Sequence, residues 1–153
     1  MNVDPSPRLA VRGLAKHFTL HLRGGARLQV LDDTWLDVHA GECVALVGAS
    51  GRGKSTLMKC LFGSYGCDAG SLRFESSDGP VDIAAATPQR MLATRMHLCA
   101  LIVTHDLGVA RLLAQRTLVM RHGRVVEQGL TDRVLDDPRH PYTQLLVSSV
   151  VMP

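Results

Sequence analysis

Residues 48–55 constrain this chain more than any other segment, because a glycine-rich loop here separates an apolar run from an amphipathic run. The loop reads Gly-Ala-Ser-Gly-Arg-Gly-Lys-Ser and follows Cys43–Val47, five apolar residues without alternation. Such a run is typical of a strand buried on both faces. The next apolar residues share one helical face: Leu57, Met58, Leu61 and Phe62. The sequence therefore predicts a buried strand that passes through the loop directly into a helix.

This segment, the phosphate loop, matches the pattern G-x-x-x-x-G-K-[ST], whose residue types suit phosphate binding. Its three glycines let the backbone form a concave nest of N–H groups, and the following helix adds the positive end of its dipole. Lys54 can reach the β and γ phosphates of a nucleotide, and the Ser55 hydroxyl is placed to bind Mg²⁺. The alternative is a chance glycine-rich turn. The full match between a strand and a helix favours the phosphate site.

Composition indicates one globular domain without a membrane span. The chain has 153 residues, of which 46% are apolar, 20% charged and only 4% aromatic, so the core must be aliphatic. The formal charge of +3 is dispersed along the chain, which gives no support to nucleic-acid binding. No stretch approaches the ~20 apolar residues that cross a bilayer, and the first residues lack a signal peptide's apolar region. A cytoplasmic protein, peripheral to a membrane only through partner subunits, is expected.

The four cysteines are expected to be free thiols. Cys43, Cys60 and Cys99 lie in apolar stretches, and none of the four, Cys67 included, forms a C-x-x-C pair. Disulfides or a zinc site are the alternatives.

The remaining pattern predicts an α/β fold. Residues 9–14, 28–31 and 35–38 read as a small N-terminal antiparallel layer, and residues 71–74 as a further strand. A second fully buried strand is predicted over 98–103, followed by a helix. Later elements are a hairpin turning at His122-Gly123 and two short helices, one capped by Thr131 and one begun by Pro141. Thr87-Pro88 reads as another helix start. The main sheet is expected to be mostly parallel.

Residues 47–57 resemble the Walker A segment of ATP-binding cassette (ABC) ATPases. Arg52 departs from the small residue usual at its position, which is a variable loop position. The resemblance implies ATP and Mg²⁺ as ligands, with Ser55 on the metal, and it implies a nucleotide-contacting set: Gly48, Ala49, Ser50, Gly51, Arg52, Gly53, Lys54, Ser55 and Thr56.

Two further matches to the family lie outside the loop. Phe18 stands where the family places an aromatic residue that stacks on adenine; filling the core of the small sheet is the alternative. His105, in Thr104-His105-Asp106, resembles the family's switch histidine, which senses the γ phosphate and is the candidate catalytic residue. A structural histidine is the alternative there.

The resemblance divides along the chain. Residues 9–95, approximately, are similar to the L-type ATP-binding protein of phosphonate carbon–phosphorus lyase systems, and residues 101–153, approximately, to its K-type companion. Residues 141–143, Pro-Tyr-Thr, also recur in oligopeptide and dipeptide transporter ATPases. We therefore expect a single, internally shortened ABC-type domain over 1–153. Other phosphonate-system or ABC transporter subunits are the implied partners.

Two family features are missing from the sequence. It has no Leu-Ser-Gly-Gly-Gln signature segment, hence no helical signature subdomain, and no buried strand ending in Asp-Glu to supply a catalytic carboxylate. Asp136-Asp137 comes nearest to such an acidic strand end, but its surroundings read as a helix end. Gln89 fits the family's Q-loop glutamine poorly, because it follows Pro88 in a predicted helix. Three hypotheses remain open: an ABC ATPase by descent with doubtful hydrolysis, a non-catalytic nucleotide-binding or interaction module, and a non-functional deletion remnant. If a central strand is deleted, strands 43–47 and 98–103 should pair directly or stay partly unpaired.

Overall fold

The computed structural model describes residues 6–49, 51–76, 79–82 and 100–150. Ser50, the helix start at Thr87-Pro88, Gln89 and Cys99 lie outside the described residues. Eight strands are described: β1 Leu9–Leu20, β2 Ala26–Val38, β3 Cys43–Val47, β4 Ala69–Ser76, β5 Gly79–Asp82, β6 Ala100–Val103, β7 Arg116–Arg121 and β8 Arg124–Leu130. The helices are a 3-10 turn His21–Arg23 and four α-helices: α1 Arg52–Leu61, α2 Leu107–Leu113, α3 Thr131–Asp136 and α4 Pro141–Val150.

The N-terminal strands form the expected antiparallel layer. Its order is β2-β1-β4-β5, and Leu9 pairs with Val38 on one side and Phe74 on the other. The strands predicted over 28–31 and 35–38 are one continuous strand of 13 residues. They merge because β1 pairs along both segments, with bulges that absorb the irregular alternation between them.

The second sheet is mixed and holds the phosphate loop. Its order is β6-β3-β7-β8, in which β3 pairs in parallel with both β6 and β7, and β8 is antiparallel to β7. Cys43 pairs with Ala100 and Leu46 with Val103, so the strands carrying the two candidate motifs are direct neighbours. The direct-pairing alternative is the one found.

Strand β3 is buried on both faces, as predicted. Val44 and Leu46 join one core cluster with α1 and the antiparallel layer, whereas Ala45 and Val47 join a second cluster beneath α2 and α3. All four side chains have 0% exposed surface. An apolar residue at every position is what a strand between two packed layers requires.

Strand β6 corrects one prediction, because it is not fully buried. Ala100 is exposed, and Leu101, Ile102 and Val103 are only half-buried. Among the described strands, β6 lies at the edge of its sheet and pairs with β3 alone. Residues 98 and 99 of the predicted strand lie outside the described residues.

The C-terminal half follows the sequence pattern closely. Helix α2 follows β6, the β7–β8 hairpin turns at His122-Gly123, and α4 begins at Pro141. Asp136 ends α3, which confirms that residues 134–137 are a helix end and not a catalytic strand. Thr131 is not a cap: Leu130 holds the N-cap position, and the buried Thr131 hydroxyl hydrogen-bonds the Thr117 hydroxyl instead, at 2.9 Å.

Cys43 and Cys60 are free thiols, as expected. Burial, with Cys67 close by, raises the pKa of Cys60 to about 12. No helix within the described ranges is both long and apolar enough to span a membrane.

The turn at Gly123 joins the two sheets. Its carbonyl accepts hydrogen bonds from the Asp32 amide at 3.0 Å and from the Thr34 hydroxyl at 2.5 Å, both on β2. Gly123 has a φ of +75°, and a Cβ there would lie 2.2 Å from the Val30 carbonyl oxygen. Only glycine fits, because a side chain meets both a strained backbone and rigid neighbouring backbone.

Replacing Gly123 by alanine is therefore expected to lower the free energy of unfolding by about 2 to 4 kcal/mol. Chemical denaturation followed by circular dichroism measures this. Gly24→Ala is the matched control, since Gly24 shares the positive φ of 65° but has no atom within 4 Å of the added methyl group. Equal losses for the two variants would show that the contact with β2 contributes nothing.

Candidate phosphate-binding site

The phosphate loop leaves β3 at a point of close backbone contact. Gly48 has a φ of +155°, and a Cβ there would lie 2.4 Å from the Met120 carbonyl oxygen on β7. A glycine is therefore required for the loop to pass so close to β7.

Helix α1 presents uncapped amide groups at the end of the loop. It begins at Arg52 with Gly51 in the N-cap position, and no side chain caps it. The first N–H groups of a helix have no partner within the helix, so these groups are available to an anion. The predicted strand–loop–helix geometry is thus present.

Lys54 curls back over the start of the loop. Its Nζ donates to the Gly48 carbonyl at 2.6 Å and to the Ala49 carbonyl at 2.8 Å. Partial burial lowers the pKa of the Lys54 ammonium group. These bonds keep the ammonium beside the loop, where a bound phosphate would meet it.

A cavity of about 510 Å³ lies between the helix start and the tip of the antiparallel layer. Four predicted site residues line it: Phe18, Gly51, Ser55 and Thr56. Leu20, Lys59 and Tyr65 complete the lining. Phe18 is half-buried and faces this space, so it does not simply fill the sheet's core.

Tyr65 is a cavity residue that the sequence reasoning missed. Its ring packs edge-on against Phe18, with centroids 5.4 Å apart at 73°, and the Lys59 ammonium donates to its hydroxyl at 3.3 Å. Its only sequence signal is aromatic character just after the helix-ending Gly63.

A second cavity of about 500 Å³ lies on the other side of the loop. It shares Gly51 with the first cavity and is bounded by Lys54, β2, the β7–β8 turn and Tyr142. Arg121 and His122 also line it. Neither cavity has an acidic residue in its described lining, which suits an anionic ligand.

His105 lies at the same sheet edge as the loop but lines neither cavity. It is exposed, two residues after the end of β6. The adjacent Asp106 caps α2 by accepting from the Gly108 amide at 2.8 Å and the Val109 amide at 3.2 Å. The sensing role of His105 remains a prediction.

For Mg²⁺, the predicted ligand is the Ser55 hydroxyl, and Ser55 lines the first cavity. They contain no group of three or more His, Cys, Asp or Glu side chains able to hold a metal ion by themselves. Magnesium commonly keeps waters and binds through few protein oxygens plus substrate phosphates, so Ser55 fits a nucleotide-borne ion.

Two family profiles match parts of the chain. The profile described as "ABC transporter" matches residues 31–103, and the profile "Oligopeptide/dipeptide transporter, C-terminal region" matches residues 126–153. The chain is 73% identical over 62 residues to a putative phosphonates utilization ATP-binding protein PhnK of Escherichia coli (strain K12). That alignment covers 40% of this chain and 25% of the relative.

A longer alignment is to a putative ribose/galactose/methyl galactoside import ATP-binding protein of Burkholderia cenocepacia (strain HI2424). It is 34% identical over 157 residues and covers 95% of this chain and 29% of that protein. The chain thus spans only about a quarter to three tenths of the length of these relatives.

Solved structures agree on the fold. A dimeric bacterial ABC transporter cassette superposes with a TM-score of 0.66 at 11% identity, covering 80% of this chain and 98% of that chain. A nucleotide-free ATP-binding cassette also gives 0.66, at 14% identity, covering 87% and 96%. The predicted α/β fold is confirmed, and so are the resemblances to ABC transporter ATPase domains and to K-type phosphonate proteins.

Proposed function

We propose that the chain binds ATP, with its phosphates on loop 48–55 and with Mg²⁺ held between those phosphates and the Ser55 hydroxyl. The observation that carries the proposal is the uncapped start of α1, which opens onto a cavity shared by Gly51, Ser55 and Phe18. Free helix-start amides attract an anion without help from distant residues.

The same cavity can hold the rest of the nucleotide. Ser55 and Thr56 lie at its phosphate end, and Phe18 with Tyr65 provides aromatic surface at the other. A base stacked on an aromatic ring adds roughly 1 to 3 kcal/mol. Phosphate and base therefore have separate binding surfaces.

Titration calorimetry with Mg-ATP, Mg-ADP and inorganic tripolyphosphate tests this proposal on the monodisperse chain. We expect weak binding of all three, with tripolyphosphate weaker than ATP because it lacks a base. Absence of heat with all three ligands from folded protein would refute the proposal.

Phe18→Ala is expected to weaken ATP binding about five- to fiftyfold while leaving tripolyphosphate binding within about twofold. The aromatic face contacts only the base in this arrangement. Leu22→Ala is a suitable control, since Leu22 is fully exposed near the same sheet tip. An equal loss of affinity for ATP and tripolyphosphate would mean that Phe18 stabilises the fold and does not stack on the base.

The proposed setting is a phosphonate uptake or carbon–phosphorus lyase system, in which the chain docks on other subunits at the cytoplasmic face of the membrane. The 73% identity to the PhnK relative over 62 residues supports this choice over a peptide system. Co-purification with subunits of a phosphonate system, with an oligopeptide-transporter permease as comparison, tests it. If the chain is retained only by the permease, a peptide transporter is its setting and the phosphonate proposal is wrong.

The lining of both cavities favours a nucleotide-binding module without hydrolysis over an active ATPase. The described lining of the two cavities holds no carboxylate that could orient an attacking water. We therefore propose nucleotide binding without hydrolysis.

A further inference from the structure

We propose that Tyr142, on the C-terminal helix α4, is a positioning residue for the phosphate loop: its hydroxyl holds the start of the loop in the shape that binds phosphate. The proposal deepens the proposed function and rests on it.

The proposal rests on a hydrogen bond between two parts of the chain that are distant in sequence. The Ala49 amide donates to the Tyr142 hydroxyl at 2.7 Å, across 93 positions of sequence. On the opposite side of the same peptide segment, Lys54 binds the carbonyl oxygens of Gly48 and Ala49. The start of the loop is thus held through its N–H group by Tyr142 and through its C=O groups by Lys54.

Tyr142 itself is firmly held. The Arg121 guanidinium lies over its ring, 4.9 Å from the centroid, and the Tyr142 amide donates to His140 Nδ1 at 3.1 Å. The ring and the backbone of this residue therefore each have a fixed partner.

Buried Glu127 anchors the segment that carries Tyr142. Its carboxylate, on β8, accepts from the Arg139 amide at 2.9 Å and from the His140 amide at 3.0 Å. Burial opposes ionisation of this carboxyl group, but these amides and the nearby Arg133 guanidinium together outweigh burial and lower the pKa of Glu127. The first turn of α4 is therefore tied to the same sheet that holds the loop.

These contacts matter because the loop is rich in glycine. Gly48, Gly51 and Gly53 would otherwise leave its backbone many conformations, and a ligand would have to order them on binding. Holding the loop beforehand removes part of that cost and raises affinity without any contact between Tyr142 and the nucleotide.

Tyr142→Phe is the sharpest variant, because it keeps the ring beneath Arg121 and removes only the hydroxyl. We expect the affinities for Mg-ATP and for inorganic tripolyphosphate to fall by the same factor, about two- to tenfold. Ser148→Ala removes a hydroxyl from the same helix that bonds only the Leu145 carbonyl, so it should leave both affinities unchanged. Arg121→Ala, which keeps the hydroxyl, should give a smaller loss in the same direction.

Amide hydrogen exchange gives a second readout that does not need a ligand. The Ala49 amide should exchange at least several-fold faster in Tyr142→Phe than in the wild type, while Val44 in β3 stays equally protected. A general loss of stability would instead speed exchange in both.

The outcomes are separable. Unchanged affinities and unchanged exchange at Ala49 in Tyr142→Phe overturn the inference, even if ATP binds. If the wild type binds neither ATP nor tripolyphosphate, the proposed function fails, and faster exchange at Ala49 alone would still support Tyr142 as the residue that holds the loop.

Discussion

The purified chain is expected to show no Lys54-dependent hydrolysis of Mg-ATP in the range of ~1 to 1000 per second that is common for enzymes. Phosphoryl transfer depends on an oriented water and on charge stabilisation around the transferred group, in addition to the binding of the phosphates. Loop 48–55 provides only the phosphate binding.

Two described acidic residues that could be considered as catalytic carboxylates, Asp106 and Asp136, already bind other groups. Asp106 accepts two amide hydrogen bonds at the start of α2. Asp136 pairs with Arg111 at 2.7 Å on the exposed side of α3, and this bond lowers the pKa of the carboxyl group. Neither they nor Asp137 line a cavity beside the loop.

A steady-state phosphate-release assay measures the turnover, with Lys54→Ala prepared identically to reveal contaminating ATPases. Turnover above one per second in the wild type and its loss in the variant would contradict the account. Asp106, Asp136 and Asp137 would then be the first residues to replace.

Lys54→Ala is expected to weaken Mg-ATP binding at least about a hundredfold. The ammonium group makes charge-assisted hydrogen bonds to phosphate oxygens, each contributing roughly 1.5 to 3 kcal/mol, and 1.4 kcal/mol corresponds to a tenfold change. The Gly48 and Ala49 carbonyls already hold this ammonium beside the loop, where it can add phosphate oxygens as partners.

Lys59→Ala is the matched control for charge, because Lys59 lies one turn further along α1 and contacts Tyr65 instead of the loop. Its removal is expected to weaken binding less than tenfold. Fluorescence titration with a nucleotide analogue, alongside thermal unfolding of each variant, makes the comparison. Similar losses for Lys54→Ala and Lys59→Ala would mean that general positive charge, and not the loop lysine, attracts the nucleotide.

The elements that the sequence predicted best are those with strong local signals. The run Cys43–Val47, the glycine loop and the amphipathic helix after it each depend on neighbouring residues, and all three appear where expected. The hairpin at His122-Gly123 and the helix begun by Pro141 are similar cases.

The failures involve contacts between distant segments. The exposure of β6 follows from its edge position, and an apolar run reads the same at an edge as in the centre of a sheet. Thr131 satisfies the usual rule for a cap, but its partner is Thr117 on β7. Tyr142 reaches Ala49, 93 positions away, only through the fold, and no local pattern predicts that contact.

The central claim is that the backbone amides around the start of α1 bind the phosphates of ATP. A two-dimensional NMR titration of ¹⁵N-labelled protein with Mg-ATP tests it most directly, because it reports on each amide separately. We expect the largest shifts at Gly51, Gly53, Lys54 and Ser55. Tripolyphosphate should reproduce these shifts, and Lys54→Ala should abolish them. Saturating ATP that leaves these four amides unshifted, or that shifts another surface instead, would contradict it.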